Sequence, residues 1–371
     1  MDKKKILIVC RAFYPGNWPR AFRPTELAKE FARQGHTVIV ITPKVEIHAE
    51  FEKEFGITVK DLGKTRWKGF ELNGNKFFIL LKKIINRLLN WLLEYPNIEL
   101  TYLVAKALRS EKDYDLLISI AKPYMIHWGV AKAVAKNKKL ARVWVADCGD
   151  PYLRSADSDI NPPFYFHWVD SWFLRKADYV SIPIQEALSA YNQKYIDKFR
   201  IIPQGFKFED IKLYDGQPDS EKVVFGYAGM FIPGKRDPSE LLEFLNSLDS
   251  TFTFEFNIYT HSPWLIEPYS KKSNGRIKLH PVLSREEVLF ELSKMHFVVN
   301  FENTGTTQSP SKLIDYGILK KPVLSVKYKA LDADNVLRFL TKDFSNQMKL
   351  GDVEKYRIEN VSKSFLELVN L

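Results

Sequence analysis

Short apolar runs recur along the chain, and segments with a helical period separate them. The runs show little polar alternation, which is typical of strands that helices cover on both faces of a parallel sheet. In the first half, the pattern predicts strands at Ile6–Cys10, Thr37–Thr42, Leu116–Ile120 and Val143–Ala146, and helices at Pro24–Gln34 and near His127–Asn137. This order of elements predicts an α/β domain.

The pattern begins again at Val223. It predicts strands at Val223–Ala228, Phe252–Tyr259, Arg276–His280, 297–301 and Pro322–Val326, and helices at Pro238–Leu248, Arg285–Met295 and from position 311. Two consecutive units of this kind predict an α/β fold with two Rossmann-like domains facing a central cleft. We expect these domains at residues 1–205 and 206–352, with a C-terminal helix in 353–371 that packs back on the first domain.

One segment, residues 77–93, breaks this pattern. Its polar residues, at positions 82, 83, 86, 87 and 90, share one helical face, whereas the other face is apolar and carries Trp91 near its end. A basic amphipathic helix of this kind can lie in a membrane interface. It can equally pack on the domain core with a wet outer face, and the sequence leaves both alternatives open.

The positive charge is concentrated in the first half of the chain. Residues 1–205 contain 33 Lys and Arg against 22 Asp and Glu, whereas residues 206–371 contain 22 against 23. This asymmetry predicts that the first domain meets an anionic surface. The basic residues form no recognisable nucleic-acid motif, so we expect an anionic membrane rather than nucleic acid.

The cysteines and the apolar segments indicate in which cellular compartment the protein is expected. Cys10 and Cys148 both lie in apolar runs, which favours reduced thiols over a disulfide. The first ten residues lack the long apolar core of a signal peptide, and Lys or Arg interrupts every stretch that could span a membrane. We therefore expect a cytoplasmic protein, peripheral at the inner face of the cell membrane.

A candidate anion site follows the predicted strand at 297–301. Ser309 suits a helix N-cap and Pro310 the first helical position, and Ser311 and Lys312 complete the first turn. The free N–H groups of a helix N-terminus attract anions, and Lys312 adds a full positive charge. Asp315 lies on the same face and can accept hydrogen bonds from sugar hydroxyls. The group suits a nucleotide diphosphate, and an ordinary capped helix is the alternative.

A second cationic loop follows the predicted strand at Val223–Ala228. Gly229 ends this strand, and Lys235 and Arg236 precede the next helix. The carboxyl ends of parallel strands share one edge of a sheet, so both loops should border the same crevice. Two cationic clusters and a helix dipole can neutralise a diphosphate without a metal, and we expect no metal site.

These motifs resemble those of the GT-B glycosyltransferases, specifically glycosyltransferase family 4 of the polysaccharide-building type. The resemblance covers essentially the whole chain: residues 4–43 around Phe13-Tyr14-Pro15 and Gly35-His36, residues 144–152 with Asp147-Cys148-Gly149-Asp150-Pro151, residues 227–238, and residues 308–316. It implies a retaining, hexosyltransferase-like enzyme whose C-terminal domain holds a nucleotide sugar and whose N-terminal domain binds a glycan or lipid-linked acceptor.

The resemblance also assigns roles to the donor residues. It implies that Arg236 and Lys312 hold the diphosphate, that the backbone of 309–311 assists, and that Asp315 binds the ribose hydroxyls. The usual pair of glutamates spaced eight apart falls here at Thr307 and Asp315, so only the second position keeps a carboxylate. The loss at Thr307 puts the identity of the transferred sugar in doubt.

Candidate acceptor residues lie in the first domain. Asp150 is our candidate to contact an acceptor hydroxyl or to act as a base, and Asp147 fits a helix cap or a loop hydrogen bond. His127 follows a predicted strand at a helix start that should face the cleft. The resemblance implies that it contacts a sugar, so it is our second catalytic candidate, and a structural histidine is the alternative. Arg23 is either an exposed arginine or one that reaches the cleft.

Two other functions remain open at this stage. A GT-B epimerase that acts on the nucleotide sugar itself would need further acid and base residues near the cleft. A nucleotide-sugar-binding protein without catalysis would fit the loss of the first glutamate at Thr307. The sequence does not give the sugar, the nucleotide base or the acceptor.

Overall fold

The computed structural model describes residues 2–16, 18–153, 161–218, 221–302 and 310–371, and for Pro19, Pro310, Ser311 and Leu313 it describes the backbone alone. The chain forms two compact units. The first comprises Met1–Phe206 and Lys355–Leu371, and the second comprises Lys207–Glu354.

The first unit contains a seven-stranded sheet in which all neighbouring strands are parallel. Its strands in chain order are β1 (Lys5–Val9), β2 (Thr37–Thr42), β3 (Thr58–Asp61), β4 (Tyr114–Ile120), β5 (Ala141–Asp147), β6 (Tyr179–Ile182) and β7 (Phe199–Ile201). The spatial order is β3-β2-β1-β4-β5-β6-β7. The direction of winding therefore reverses between β1 and β4, as in Rossmann-like sheets.

Within the described part of the first unit, six α-helices precede the second unit in the chain. They are α1 (Pro19–Arg33), α2 (His48–Phe55), α3 (Lys76–Leu93), α4 (Glu99–Ala107), α5 (Met125–Lys136) and α6 (Phe166–Lys176). An apolar core lies on each face of the sheet: Leu117 and Trp144 belong to one, Ile118 and Val145 to the other. The strands are thus buried on both faces, as their continuous apolar runs predict.

The second unit repeats this architecture with a five-stranded parallel sheet. Its strands are β8 (Val223–Ala228), β9 (Phe254–Tyr259), β10 (Ile277–His280), β11 (Phe297–Phe301) and β12 (Val323–Val326), and its helices are α7 (Ser239–Ser247), α8 (Glu267–Lys272), α9 (Arg285–Ser293), α10 (Pro310–Leu319) and α11 (Ala333–Leu340). The spatial order β10-β9-β8-β11-β12 reverses between β8 and β11. Ligands of open α/β sheets bind at the carboxyl ends of such a strand pair.

The last helix, α12 (Ile358–Glu367), returns the chain to the first unit. Its apolar face, with Val361 and Phe365, enters the core that contains Leu27 and Phe31 of α1. The C-terminal segment is therefore part of the first unit's core.

Helix α3 presents its apolar side outward. None of its residues is buried, and Phe77, Leu88 and Trp91 are 68%, 47% and 41% exposed. The side of α3 nearest the unit is mixed: Ile79, Ile85 and Leu89 are half-buried beside Lys82 and Asn86, and Asn86 bonds the backbone of Phe70 in both directions at 2.8 Å. The largest apolar side chains of α3 face outward, unlike those of a helix that packs its apolar face on the core. Among the described residues, no helix is long and apolar enough to cross a membrane.

A buried ion pair fastens α1 to the sheet of the first unit. Arg23 Nη2 and Nε donate to the two carboxylate oxygens of Asp147 at 2.7 and 3.1 Å, and both side chains are 5% exposed. Arg23 also donates to the backbone oxygens of Ile202 and Pro203, and Ser181 donates to Asp147 at 2.7 Å. The expectation of an exposed or cleft-reaching Arg23 is therefore wrong, and the Asp147 carboxylate bonds within the fold.

We predict that Arg23→Met destabilises the first unit by about 3–5 kcal/mol, because it leaves the Asp147 carboxylate buried without its cation. Urea unfolding followed by tryptophan fluorescence measures this, since seven of the eight tryptophans lie within residues 1–206. Arg20→Met is the control: its pair with Asp150 is partly exposed, so about 0–1 kcal/mol is expected. Equal losses in the two variants would contradict the role given to the buried pair.

Candidate functional site

The candidate site of the second unit lies where β8 and β11 end. Gly229 follows β8 directly, and α10, the next described element after β11, begins with Pro310. The helix start predicted at Pro310 is confirmed. Ser309 and Thr307 lie outside the described residues, and the structure describes only the helical backbone of Pro310 and Ser311.

Lys312, in the first turn of α10, packs closely against the end of β8. Its Nζ donates to Tyr227 Oη at 2.6 Å and lies 4.0 Å from the centroid of the Tyr227 ring. Gly229 has φ of +150°, and a Cβ added there would lie 2.4 Å from Lys312 Nζ. Only glycine therefore leaves room for this ammonium group at the end of the strand.

A second cation lies beside Lys312. Burial and, to a smaller extent, the nearby Arg236 lower the pKa of Lys312 to about 7, against the opposing effect of Asp315. Arg236 also interacts with the Tyr227 hydroxyl. Its Nε is buried and has no hydrogen-bond partner among the described residues. Two positive charges that lie close together and away from water favour the binding of an anion. A bound anion would in turn raise the pKa of Lys312 and favour its protonated form.

The loop between β8 and α7 separates its two basic side chains. Ile232 and Arg236 pair across a tight turn, and Asp237 accepts a hydrogen bond from Gly234 N at 2.9 Å. This geometry turns Arg236 toward Tyr227 and leaves Lys235 exposed at the turn. Lys235 therefore lies at the rim of the candidate site, whereas Arg236 belongs to its interior.

Asp315, one turn after Lys312, forms an ion pair that the sequence analysis missed. Its Oδ1 accepts hydrogen bonds from Arg285 Nε at 3.0 Å and from Nη2 at 2.5 Å. Burial raises the pKa of Asp315, although Arg285 and Lys312 act against this. A capping box between Ser284 and Glu287 fixes the start of α9 and hence the position of Arg285. That motif marks the helix start in the sequence, but the pairing across 30 residues has no local signal.

In the first unit, Asp150 lies beside two cations after the end of β5. Arg20 Nη2 is 2.7 Å and Lys122 Nζ is 3.4 Å from Asp150 Oδ2. Burial alone would raise the pKa of Asp150, but Arg20 and Lys122 outweigh it and hold the pKa below its usual value. An ionised carboxylate of this kind accepts hydrogen bonds well and removes protons poorly. The geometry thus suits a contact with a hydroxyl better than a general base.

His127 is a buried side chain, which corrects the expectation that it faces a cleft. Its Nδ1 lies 2.8 Å from Ser119 Oγ and its Nε2 lies 3.4 Å from Cys148 Sγ, while its ring stacks on Phe173. Burial lowers its pKa to about 3, so the ring is neutral at physiological pH. Although His127 lies in the first turn of α5, its side chain turns into the core and supports the strand end that precedes Asp150.

The structure offers no cluster of metal ligands in the part that it describes. No group of three or more His, Cys, Asp or Glu side chains within residues 2–16, 18–153, 161–218, 221–302 and 310–371 could hold a metal ion. The charged groups brought together are instead Lys312, Arg236, Arg285 and Asp315 in the second unit. In the first unit they are Arg20, Lys122 and Asp150.

Comparisons of sequence yield no relative: no known family profile matches the chain, and no curated protein matches it. Solved structures do match it over nearly its whole length. HepE from Anabaena in complex with UDP and glucose is 11% identical, with 99% of each chain covered and a TM-score of 0.58. A mutant of TarM from S. aureus, in complex with fondaparinux, alpha-GlcNAc-glycerol and UDP, is 14% identical, with 99% of this chain and 100% of that chain covered and a TM-score of 0.57.

A third similar structure is an epimerase. UDP-GlcNAc 2-epimerase from Methanocaldococcus jannaschii is 12% identical, with 99% of each chain covered and a TM-score of 0.51. At such identities the likeness shows the fold alone. This protein has the GT-B fold with two Rossmann-like domains, as predicted from its sequence, whereas its membership of glycosyltransferase family 4 stays a prediction.

We predict that Gly229→Ala weakens the binding of pyrophosphate roughly tenfold, because the new Cβ displaces the Lys312 ammonium group. Isothermal calorimetry measures the affinity. Gly234→Ala is the matched control: its φ is also positive, at +73°, but no atom lies within 4 Å of the added Cβ. It should lose about 1 kcal/mol of stability and keep its affinity. Equal affinities in both variants would contradict the contact between Gly229 and Lys312.

Proposed function

We propose that this protein is a retaining glycosyltransferase that moves a hexosyl group from a nucleotide diphosphate sugar to a glycan or lipid-linked acceptor. The observation that carries the proposal is the pair of cations Lys312 and Arg236 at the carboxyl edge of β8 and β11. A nucleotide diphosphate supplies the anion that this pair lacks. The GT-B fold supports the proposal, because nucleotide-sugar enzymes are among the proteins that share it.

In the proposed donor complex, Lys312 and Arg236 contact the diphosphate, and Gly229 lets it approach the backbone. The free N–H groups in the first turn of α10, which begin with that of Ser311 because Pro310 has none, add partial positive charge. We expect Ser309, which lies outside the described residues, to assist through its backbone. Lys235 at the rim attracts the approaching nucleotide. Asp315 binds the ribose hydroxyls through Oδ2, since both contacts from Arg285 are made to Oδ1.

The same cations act on the reaction itself. Breaking the bond between the sugar and the diphosphate leaves additional negative charge on the departing phosphate oxygen. Fixed cations close to that oxygen stabilise the transition state more than the ground state, which lowers the barrier. This arrangement takes the place of a divalent metal, so turnover should persist in excess chelator. Transfer with retention at the anomeric carbon is the stereochemistry implied by the family resemblance.

The first unit provides the acceptor side of the proposal. Asp150, held ionised by Arg20 and Lys122, accepts a hydrogen bond from an acceptor hydroxyl and orients it. Helix α3 carries four basic residues, Lys76, Lys82, Lys83 and Arg87, and no acidic one. Its outward apolar side and this charge suit an anionic lipid surface, at the cytoplasmic face of the cell membrane.

The experiment must distinguish a glycosyltransferase from two alternative functions. The epimerase of similar fold favours an enzyme that alters the nucleotide sugar itself, and Thr307 in place of the first family glutamate favours a protein that binds without turnover. Incubation with a panel of nucleotide sugars, with and without lipid acceptor, separates the three. A transferase releases nucleotide in step with glycosylated acceptor, an epimerase forms an epimeric sugar without acceptor, and a binding protein does neither. Only the first outcome supports the proposal.

We predict that Lys312→Ala and Arg236→Ala each weaken binding of the nucleotide diphosphate by about 1.5–3 kcal/mol, the size of a charge-assisted hydrogen bond. The free energy of unfolding of Lys312→Ala should not fall, because the variant removes a cation that burial disfavours. Calorimetry and urea unfolding measure the two quantities. Wild-type affinity in both variants would overturn the assignment of the donor site.

Affinity for the diphosphate should also depend on pH. The pKa of Lys312 is about 7 in the free protein, and the anion favours the protonated form, so binding takes up a proton above pH 7. Affinity should therefore fall as pH rises, roughly eightfold between pH 7.5 and 8.5. In Lys312→Arg the dependence should vanish, because arginine stays charged throughout this range. The same slope in both proteins would assign the proton to another group.

We predict that the protein binds anionic liposomes through α3, with an affinity that falls as salt increases. Changing Leu81, Leu88 and Leu92 to Gln should abolish binding, because these exposed side chains supply the apolar contact and Gln preserves the helix. Changing Lys83 and Arg87 to Gln should weaken binding by about 2 kcal/mol and reduce the salt dependence. Co-sedimentation measures both effects, and wild-type protein that stays unbound at low salt would contradict the membrane contact.

A further inference from the structure

Arg285 occupies a position that its own helix disfavours. It is the first residue of α9, where the partial positive charge of the helix dipole repels a cation and attracts acidic side chains such as those of Glu286 and Glu287. The capping box needs no arginine, because it is made by Ser284 and Glu287 alone. The local requirements of the helix start therefore do not account for the residue at position 285.

A contact with the neighbouring helix does account for it. Helix α9 packs against α10, and Arg285 donates from Nε and from Nη2 to the same oxygen of Asp315, Oδ1. A pair of arginine and carboxylate often uses both carboxylate oxygens, one for each N–H. In the described part of the chain, no hydrogen bond to Oδ2 accompanies the two to Oδ1. The second oxygen can therefore accept hydrogen bonds from a ligand.

Both side chains of this pair lie within reach of a ligand. Arg285 is 29% and Asp315 25% exposed, whereas the buried pair of Arg23 and Asp147 is 5% exposed on each side. Asp315 lies three positions after Lys312, so the two share one face of α10. A ligand that places a phosphate at Lys312 would thus bring its adjoining part to Oδ2 of Asp315.

The charge of Asp315 depends on Arg285. Burial raises the pKa of Asp315, and Arg285 opposes this more strongly than Lys312 does, through its charge and its hydrogen bonds. The adjoining Tyr316 is buried and donates its hydroxyl to the backbone oxygen of Val299. Without Arg285, the carboxyl group would take up a proton at a higher pH and would lose the contact that fixes Oδ1. An ionised carboxylate only accepts hydrogen bonds, which suits hydroxyl groups.

We propose that Arg285 is a positioning residue that makes the site selective for nucleotides with an intact ribose. It holds Asp315 ionised and keeps Oδ2 available to the hydroxyls of a ribose whose diphosphate contacts Lys312 and Arg236. The inference rests on the proposed function and specifies the donor as a ribonucleoside diphosphate sugar. A site built to bond a hydroxyl rejects the analogue that lacks it, because its polar group is then left without a partner.

The test uses calorimetry at pH 7 with three probes: whichever of UDP and GDP binds wild-type protein more tightly, its 2′,3′-dideoxy analogue, and pyrophosphate. Wild-type protein should bind the ribonucleotide at least about tenfold more tightly than the dideoxy analogue. Arg285→Met should weaken ribonucleotide binding roughly tenfold, so that the two nucleotides bind alike, and should change the affinity for pyrophosphate by less than about threefold.

Lys294→Met is the matched control for this variant. It removes the cation at the other end of α9, where Lys294 pairs with Glu291 at 2.6 Å. This pair is also partly exposed, but it lies away from α10 in the sequence pattern of the site and has no carboxylate that the proposal uses. The affinities for all three probes should therefore stay at the wild-type values.

Further measurements separate positioning from a purely structural role. In an Asp315→Asn background, Arg285→Met should cause no additional loss of ribonucleotide affinity, because it acts through Asp315. Arg285→Lys keeps a cation and should recover part of the affinity. In Arg285→Met, the preference for ribonucleotide over the dideoxy analogue should fall more steeply than in wild type as the pH drops from 7.5 to 6, since its Asp315 takes up a proton at a higher pH.

The outcomes distinguish this inference from the proposed donor site. Unchanged ribonucleotide affinity in Arg285→Met, or an equal loss for the ribonucleotide and pyrophosphate, would overturn the role of Arg285 and leave the diphosphate site standing. Wild-type protein that binds neither nucleotide nor pyrophosphate would instead overturn the donor site itself. Because all arms measure binding, the result does not depend on whether the protein turns the nucleotide sugar over.

Discussion

Because all strand pairs in both sheets are parallel, a crossover joins each strand to the next one in its sheet, and the segments that leave the carboxyl ends lie at one edge of each sheet. This constraint determines where side chains from distant parts of the chain can form a binding or catalytic site. Gly229 and Lys312 are 83 positions apart in the sequence, yet they meet because β8 and β11 are neighbours on either side of the reversal. In the first unit, Asp150 follows β5 and Lys122 follows β4 for the same reason. The rest of each fold supplies the buried core that holds these edges in place.

The buried or partly buried charged side chains of the two units have different partners. In the first unit a cation and an anion pair within the fold, whereas in the second unit two cations lie side by side. Asp147 receives bonds from Arg23 and Ser181, and Arg23 is further satisfied by two backbone oxygens. Such a closed network holds its charges within the fold and leaves little for a ligand. Lys312 instead lies beside another cation and holds its proton weakly near neutral pH. A fold keeps such an arrangement at a cost in stability, which is reasonable where a bound anion offsets it.

The accuracy of the sequence analysis follows the range of the interactions involved. Continuous apolar runs located β2, β8 and β11 at the bounds that the structure has, since burial on both faces leaves a local signal. The short strands β3, β6 and β7 were missed, because three or four residues near the edge of a sheet carry little pattern. Helix α1 begins at Pro19 rather than Pro24, because either proline can occupy a first turn.

Side-chain environments were harder to predict than the elements that carry them. The pairs between Arg23 and Asp147 and between Arg285 and Asp315 join distant segments, and no motif marks them. For His127, the helix start was predicted correctly, but the direction of the side chain was not. That direction depends on Ser119, Cys148 and Phe173, which come from three other elements.

The C-terminal end of helix α3 contacts the segment that carries Asp150, the proposed acceptor residue. Its C-cap residue Glu94 accepts a hydrogen bond from the Tyr152 hydroxyl at 2.7 Å, and Tyr152 lies two positions after Asp150. Burial raises the pKa of Glu94, although the bond from Tyr152 acts against this, so the contact lies in a partly dehydrated place where hydrogen bonds are strong. A helix whose apolar side faces water is costly on its own, and the proposed lipid contact removes that cost. Because the end of α3 is bonded to Tyr152, two positions after Asp150, a lipid held at α3 under the proposed function would be held close to Asp150. The proposed membrane contact and the proposed acceptor residue would then lie in the unit in which the positive charge of the chain is concentrated.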